Sequence, residues 1–227
     1  MQTFTENTLN MIAVPKYRGL IVREGGYAVR RIKTYDDIIA SYRLRHDVFC
    51  EELGWVPAQK SMLEIDRYDE GAIYFGVFSE SGKLMACIRL ILSAHDFMIE
   101  SDFSQLVDTG YDIRKQSDTA EASRVCVAPE ARSLNIIRDN ESYPVSMLLF
   151  KGVYLWCMEN DIRYLYTVVE TSMLRFLRAK GFPCKLIGRP QTMIDGTHAA
   201  AVLMDWRLFE TVNSASRPHQ FQWFTQT

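Results

Sequence analysis

Short runs of apolar or alternating residues along the chain predict strands. Residues 27–33 alternate apolar and basic positions, and the apolar runs 74–79 and 84–92 flank Ser81-Gly82, which predicts a hairpin. The remaining strands are predicted at 121–127, 164–169, 185–188 and 199–205.

Other segments carry apolar residues at helical spacing. Thr34 is typical of an N-cap, and the pattern after it predicts a helix that continues to about Leu53. The clearest helix is predicted at 145–159, a shorter one at 173–180, and a helical turn after Trp206. We expect loops at 54–69 and 131–142 and an irregular segment at 93–116, with short helical turns near 103–106.

Strands that alternate with helices predict an α/β fold, a single domain with a mixed sheet flanked by helices. No linker divides the chain. We assign residues 27–227 to this domain and residues 1–26 to an N-terminal extension.

Composition narrows the function classes. The 227 residues are 48% hydrophobic and 24% charged, as in packed globular proteins, and the net charge of -2 argues against a nucleic-acid partner. No apolar run reaches the ~18 residues that span a bilayer, and the start does not resemble a secretory signal. Five scattered cysteines are typical of reduced, buried thiols, so we expect a cytoplasmic protein. We expect no membrane partner, no metal site and no bound cofactor.

Charged residues are concentrated in the middle of the chain, where core packing does not require them. Arg89 lies inside the apolar run 86–92, and a buried charge must be paired because an unpaired one costs several kcal/mol. One interpretation is an ion-pair network that holds a surface loop to the sheet. In such a network the charges of Arg89, Arg124, Asp66, Asp69 and Glu121 could satisfy each other.

The order and spacing of these residues resemble a known family. The set Arg45-x-x-x-Phe49, Trp55, Asp66-x-x-Asp69, Arg89, Phe103 and Glu121-x-x-Arg124 resembles the signature of the acyl-homoserine lactone synthases, also called autoinducer synthases. The contexts YRLRHDVF, EIDRYD, CIRLI and EASRVCV are similar as well, and the resemblance covers about residues 27–205. It implies a fold similar to the GNAT-type N-acetyltransferases.

The resemblance also implies two substrates, S-adenosylmethionine and an acyl chain carried by acyl carrier protein. Aromatic faces suit the sulfonium and the adenine, although core packing could also explain Phe49 and Trp55. We interpret Glu121 as the general base, with Asp66 next, and place the oxyanion at strand N–H groups near Arg124. The residues implied for S-adenosylmethionine are Arg45, Phe49, Trp55, Asp66, Asp69, Arg89, Phe103 and Arg124.

An acyl chain needs an apolar pocket, and apolar residues of the second half of the chain are candidates. Thr167 resembles the position at which the family often has a Thr for a 3-oxo substituent, but the neighbouring Thr171 leaves the register open. The same side chains could equally belong to the core. The predicted pocket residues are Met147, Leu148, Trp156, Thr167 and Val169.

Two observations concern the acyl donor. The segment 128–142 contains no glycine, whereas a coenzyme A site of this fold needs a glycine-rich turn for the pyrophosphate, so a carrier protein is favoured. Arg175, Arg178 and Lys180 could form a docking patch for this acidic protein. They could also simply be cations that stabilise the C-terminus of a helix. The alternative functions are an N-acyl amino acid synthase of the same fold and a non-catalytic module that binds S-adenosylmethionine or a carrier protein.

Overall fold

The structure, a computed structural model, describes residues 22–226. Within that range, nine strands form one mixed sheet in the order β1-β2-β3-β4-β5-β8-β11-β10, with β9 also paired to β11, and β6 and β7 form a separate hairpin. The strands are β1 Val22–Glu24, β2 Tyr27–Ile32, β3 Ile73–Ser79, β4 Leu84–Leu92, β5 Thr119–Val127, β6 Asn135–Arg138, β7 Glu141–Pro144, β8 Tyr164–Glu170, β9 Lys185–Leu186, β10 Gln191–Thr192 and β11 His198–Asp205.

The helices cover the sheet, and the α/β prediction of a mixed sheet flanked by helices is confirmed. Thr34 caps the first helix, as predicted, by accepting a hydrogen bond from the N–H of Asp37 at 3.2 Å. The α-helices are α1 Tyr35–Arg45, α2 Val145–Glu159, α3 Thr171–Ala179, α4 Trp206–Ser216 and α5 Pro218–Thr225, and a π-helical segment His46–Glu52 continues α1. In the described part of the chain, no helix is long and apolar enough to cross a membrane.

Three segments differ from the sequence prediction. Residues 22–24 of the proposed extension form β1, which pairs with β2, while residues 1–21 of that extension lie outside the described residues. The predicted loop 131–142 contains the β6–β7 hairpin, because Asp139 and Asn140 supply the positive φ that a tight turn needs.

The C-terminal segment also differs. Instead of one helical turn after Trp206, two helices are present, because Phe209, Trp223 and Phe224 bury their rings in the core.

The longest helix, α2, packs closely on the sheet. A side chain at Gly152 would place its Cβ 2.3 Å from Val29 on β2, so only glycine permits this approach. Trp156 is fully buried and contacts Phe75 on β3 edge-to-face, with ring centroids 5.6 Å apart. The helix therefore forms a rigid cover over the first half of the sheet.

Two irregularities of β5 create an opening in the sheet. The parallel pairing of β5 with β8 is limited to Thr119–Glu121 and Tyr164–Tyr166, so beyond Glu121 the two strands separate. On its other side β5 has one extra residue relative to β4, because Cys87 pairs with Cys126 but Arg89 pairs with Ser123. Arg124 lies in this bulge with a left-handed backbone, φ 50°.

Candidate active site

Three arginines and three carboxylates form a closed ring of ion pairs next to this opening. At 3.0 Å or less, each arginine pairs with two carboxylates and each carboxylate with two arginines, and Arg45 also lies 4.0 Å from Asp66. Arg45 pairs with Glu64 and Asp69, Arg89 with Asp66 and Asp69, and Arg124 with Glu64 and Asp66. The six charges sum to zero, so every charge of the ring is compensated inside it. Four members of the predicted network, Arg89, Arg124, Asp66 and Asp69, do form ion pairs, whereas the fifth, Glu121, forms none with the described residues; Arg45 and Glu64 complete the ring instead. The ring links the helix α1, the loop after it, β4 and β5.

Local structure in the loop positions two of the carboxylates. Asp66 caps a single 3₁₀ turn, Arg67–Asp69, by accepting from the N–H of Tyr68, and the Asp69 carboxylate accepts from the N–H of Asp66 at 2.8 Å. This reciprocal capping explains the spacing of three residues between the two aspartates. It directs both carboxylates towards Arg89.

The ring is largely removed from water. The side chains of Arg45 and Arg89 are 0% exposed and that of Glu64 1% exposed, whereas Asp66 and Arg124 are 19% and 15% exposed. Burial alone would raise the pKa of Asp69, but its contacts with Arg45 and Arg89 lower it to about 2. Asp69 is thus ionised at neutral pH. Asp66 and Arg124 are the ring members nearest to solvent.

Glu121 lies outside the ring, at the point where β5 and β8 separate. Its carboxylate accepts hydrogen bonds from the N–H groups of Met98 and Ile99, at 2.5 and 3.0 Å, and the residue is 1% exposed. Burial raises the pKa of Glu121 to about 7, even though these two hydrogen bonds favour the ionised form. A carboxyl with this pKa can exchange a proton at neutral pH.

A cavity of about 1340 Å³ occupies the opening between β5 and β8. Glu121 and Arg124 lie in its wall. Of the three aromatic residues of the predicted signature, Phe49 and Trp55 lie beside Arg124 at one end, and Phe103 lines the cavity as well. Phe49 and Trp55 stack with ring centroids 6.1 Å apart, and the Arg124 guanidinium lies 5.6 Å from the Phe49 centroid. This end therefore combines aromatic faces with charge, as a cationic, flat ligand requires.

The other end of the cavity is apolar. One face of β8, formed by Leu165, Thr167 and Val169, lies under side chains from α2 and α3. The remaining apolar wall consists of Val145, Phe150, Val153, Met173, Phe176, Leu177, Phe182, Cys184, Met204 and Trp206.

The predicted acyl-pocket residues divide into two groups. Thr167 and Val169 line the cavity, whereas Thr171 does not. Met147, Leu148 and Trp156 lie instead in the core, fully buried on the other side of α2. The α2 residues on the cavity side are Val145, Ser146, Phe150 and Val153, the last three of them spaced by one helical turn.

The predicted S-adenosylmethionine residues also take two positions. Phe49, Trp55, Phe103 and Arg124 line the cavity, whereas Arg45, Asp66, Asp69 and Arg89 stand behind Arg124 in the ring. Glu64 and Met98 have no role in the prediction from sequence. For Glu64 a signal was present, because it is a charged residue only two positions before Asp66.

The basic residues predicted for docking lie on α3 and just after it. Arg175 and Arg178 are exposed and Lys180 is half-buried. The Arg178 guanidinium donates to the carbonyl oxygen of Cys184, at 2.9 Å from its nearer nitrogen, so this residue also supports the cavity wall.

Comparisons with known proteins agree with this geometry. The model of the autoinducer synthase family matches residues 30–208. An acyl-homoserine-lactone synthase of Agrobacterium fabrum (strain C58) is 32% identical over 162 residues, which cover 70% of this chain and 74% of that protein.

Solved structures share the fold. The CoA-dependent acyl-homoserine lactone synthase BjaI, solved with SAM and isopentyl-CoA, has a TM-score of 0.67 at 22% identity, covering 79% of this chain and 82% of that one. A candidate N-acetyltransferase from Lactobacillus plantarum has a TM-score of 0.54 at 15% identity, covering 79% and 98%. The predicted likeness to N-acetyltransferases is confirmed. The chain is therefore a member of the autoinducer synthase family, a family of acyltransferase enzymes that includes the acyl-homoserine-lactone synthases.

Proposed function

We propose that this enzyme transfers an acyl chain from acyl carrier protein to the amine of S-adenosylmethionine and closes the product to an N-acyl-L-homoserine lactone, a quorum-sensing signal. The observation that carries the proposal is the two-ended cavity between β5 and β8, with an aromatic, charged end and an apolar end that share one wall. At about 1340 Å³ it exceeds the ~300–1,000 Å³ of common single-ligand pockets, which favours two substrates.

The charged end suits S-adenosylmethionine. In our proposal the rings of Phe49, Trp55 and Phe103 contact the adenine and the sulfonium, and Arg124 faces the carboxylate of the methionine part. Asp66, the most exposed carboxylate of the ring, is the nearest candidate for the ammonium. Arg45, Asp69 and Arg89 keep these two residues in place, since each is held by buried ion pairs.

Acyl transfer requires a neutral amine. Glu121 is our proposed general base: each oxygen already accepts one N–H bond, and the remaining lone pairs are free to take a proton directly or through a water. The amine then attacks the thioester carbon, and the oxyanion receives hydrogen bonds from N–H groups of β5 near Arg124 that β8 does not pair. When the oxyanion collapses, the carbon–sulfur bond of the thioester breaks. The proton lost from the attacking nitrogen goes to the leaving thiolate, and the proton held by Glu121 passes to solvent.

Ring closure completes the reaction. The carboxylate of the acylated product attacks its own γ-carbon, the carbon–sulfur bond breaks, and methylthioadenosine leaves with the electron pair. A sulfonium is a good leaving group, so holding the chain in a folded conformation suffices for this step.

Two features favour carrier protein as the donor. The segment after β5 forms the β6–β7 hairpin, not a glycine-rich turn that could hold pyrophosphate. Arg175, Arg178 and Lys180 supply positive charge for an acidic partner. The apolar end, with Thr167 and Val169, accepts the acyl chain. We place the reaction in the cytoplasm, where the five free, buried thiols stay reduced.

The proposal is tested by the product made in a bacterial host that has no lactone signal of its own. Mass spectrometry of culture extracts should detect an N-acyl-homoserine lactone only when this chain is expressed. An N-acyl amino acid would assign the chain to the rival synthase instead. A host with neither product, together with S-adenosylmethionine binding by the purified chain, would support a non-catalytic module.

A further inference from the structure

Glu64 is the one carboxylate of the ring without a role in the reaction described above. It is held at both ends by α1: its N–H donates to the carbonyl oxygen of Tyr42 at 3.1 Å, and its carboxylate accepts from the Nε of Arg45 at 2.5 Å. The side chain is 1% exposed. Glu64 is thus a fixed negative charge that cannot contact a ligand in the cavity itself.

The second partner of Glu64 is Arg124, whose backbone conformation is unfavourable. A left-handed φ in a residue other than glycine is strained and persists only where neighbours impose it. Glu64 contacts the Nε and the NH2 nitrogen of Arg124 at 3.0–3.2 Å, and Asp66 contacts the NH2 nitrogen at 2.8 Å. These contacts bring the guanidinium to the cavity wall, over the ring of Phe49.

From this arrangement we infer that Glu64 is a positioning residue for S-adenosylmethionine, acting through Arg124. It fixes the guanidinium where the carboxylate of the substrate binds, and it supplies the third negative charge that makes the ring neutral. This inference rests on the proposed function, because Arg124 serves the substrate carboxylate only if S-adenosylmethionine occupies the charged end.

The charge balance sharpens the inference. The ring borders a ligand that itself carries a sulfonium and an ammonium. Without the Glu64 carboxylate the ring would carry one excess positive charge, which repels this ligand and leaves Arg45 with Asp69 as its remaining close partner. Both effects weaken the binding of S-adenosylmethionine more than they weaken the chemical step.

The test is Glu64→Gln, which keeps the shape of the side chain and removes its charge. We measure the Kd of S-adenosylmethionine alone by calorimetry, and KM and kcat with a saturating acyl donor. Kd and KM should rise about tenfold or more, the effect of one lost charge-assisted hydrogen bond, while kcat changes less than about threefold. Combining Glu64→Gln with Arg124→Gln should weaken binding little beyond Arg124→Gln, because both act through one guanidinium.

Glu130→Gln is the matched control. Glu130 forms an exposed ion pair with Lys83 and does not line the cavity. The variant should therefore bind S-adenosylmethionine with the same Kd as the wild type. If Glu64→Gln does not fold, Glu64→Asp replaces it, since it keeps the ring neutral but is too short to reach both arginines. A folded Glu64 variant with unchanged Kd would overturn the inference, as would additive effects with Arg124→Gln. A wild-type protein that binds no S-adenosylmethionine would instead overturn the proposed function.

Discussion

Glu121 lies directly opposite Tyr166 in the last parallel pair between β5 and β8. The candidate base thus marks the point where the strands separate. Glu121 lines the cavity together with Arg124 of β5 and Thr167 of β8. In our proposal, this position brings one carboxylate within reach of both reacting groups.

Replacing Glu121 by Gln should slow acyl transfer by roughly 10²–10⁴, the usual effect of losing a general base. The wild-type rate should fall below about pH 7, because protonation of the raised-pKa carboxyl removes the base, and the variant should lack this decrease. Single-turnover rates measured on both sides of pH 7 check this. The amide of Gln would also face an N–H of Met98 or Ile99, so we expect a stability loss of about 1–3 kcal/mol. A fully active variant would return Glu121 to a structural role.

Removing Arg89 should destabilise the fold. Its side chain is 0% exposed and holds both Asp66 and Asp69, so Arg89→Met leaves two partly buried carboxylates short of a partner and should lower the free energy of unfolding by ~3–5 kcal/mol. Urea denaturation measures this. The control is Arg114→Met, which breaks a partly exposed pair with Asp118 and should cost less than about 1 kcal/mol. Equal losses in the two variants would contradict the account of the ring.

Thr167 should influence which acyl chain is used. Thr167→Val keeps the shape and removes the hydroxyl from the cavity wall, so the ratio of 3-oxo to unsubstituted product should fall about tenfold if the hydroxyl binds the β-keto oxygen. Competition between the two acyl donors measures the ratio. Thr171→Val, which changes a residue outside the cavity wall, should leave it unchanged. A constant ratio in Thr167→Val would show that this hydroxyl does not select the substituent.

Positive charge near α3 should attract the acyl carrier protein. The double variant Arg175→Ala/Lys180→Ala should raise the KM for acyl carrier protein and reduce its dependence on salt, without changing S-adenosylmethionine binding. Arg178 is retained because it also holds the carbonyl of Cys184. Arg23→Ala/Lys33→Ala removes two exposed charges from another part of the surface and serves as control. An identical KM in both double variants would exclude this docking surface.

Most of the ion-pair ring could be predicted from the sequence, because a buried charge requires a partner of opposite charge. An arginine inside an apolar strand must have a partner, so Arg89 and Arg124 pointed to the aspartates of the preceding loop. Glu64 was missed because it is not part of the family signature, although it lies only two positions before Asp66.

Helix faces were harder to predict. Since α2 is apolar on nearly all sides, periodicity could not distinguish Met147 and Trp156, which face the core, from Phe150 and Val153, which face the cavity. The β6–β7 hairpin escaped for a different reason: its turn uses Asp139 and Asn140 in place of glycine.

The central claim is that one active site both acylates S-adenosylmethionine and closes the lactone. Purified enzyme with S-adenosylmethionine and acyl carrier protein loaded with an acyl chain tests it most directly. Carrier-protein thiol and methylthioadenosine are measured in the same reaction. Our account predicts that they appear in equal amounts, one of each per turnover. Thiol released without methylthioadenosine would contradict the account.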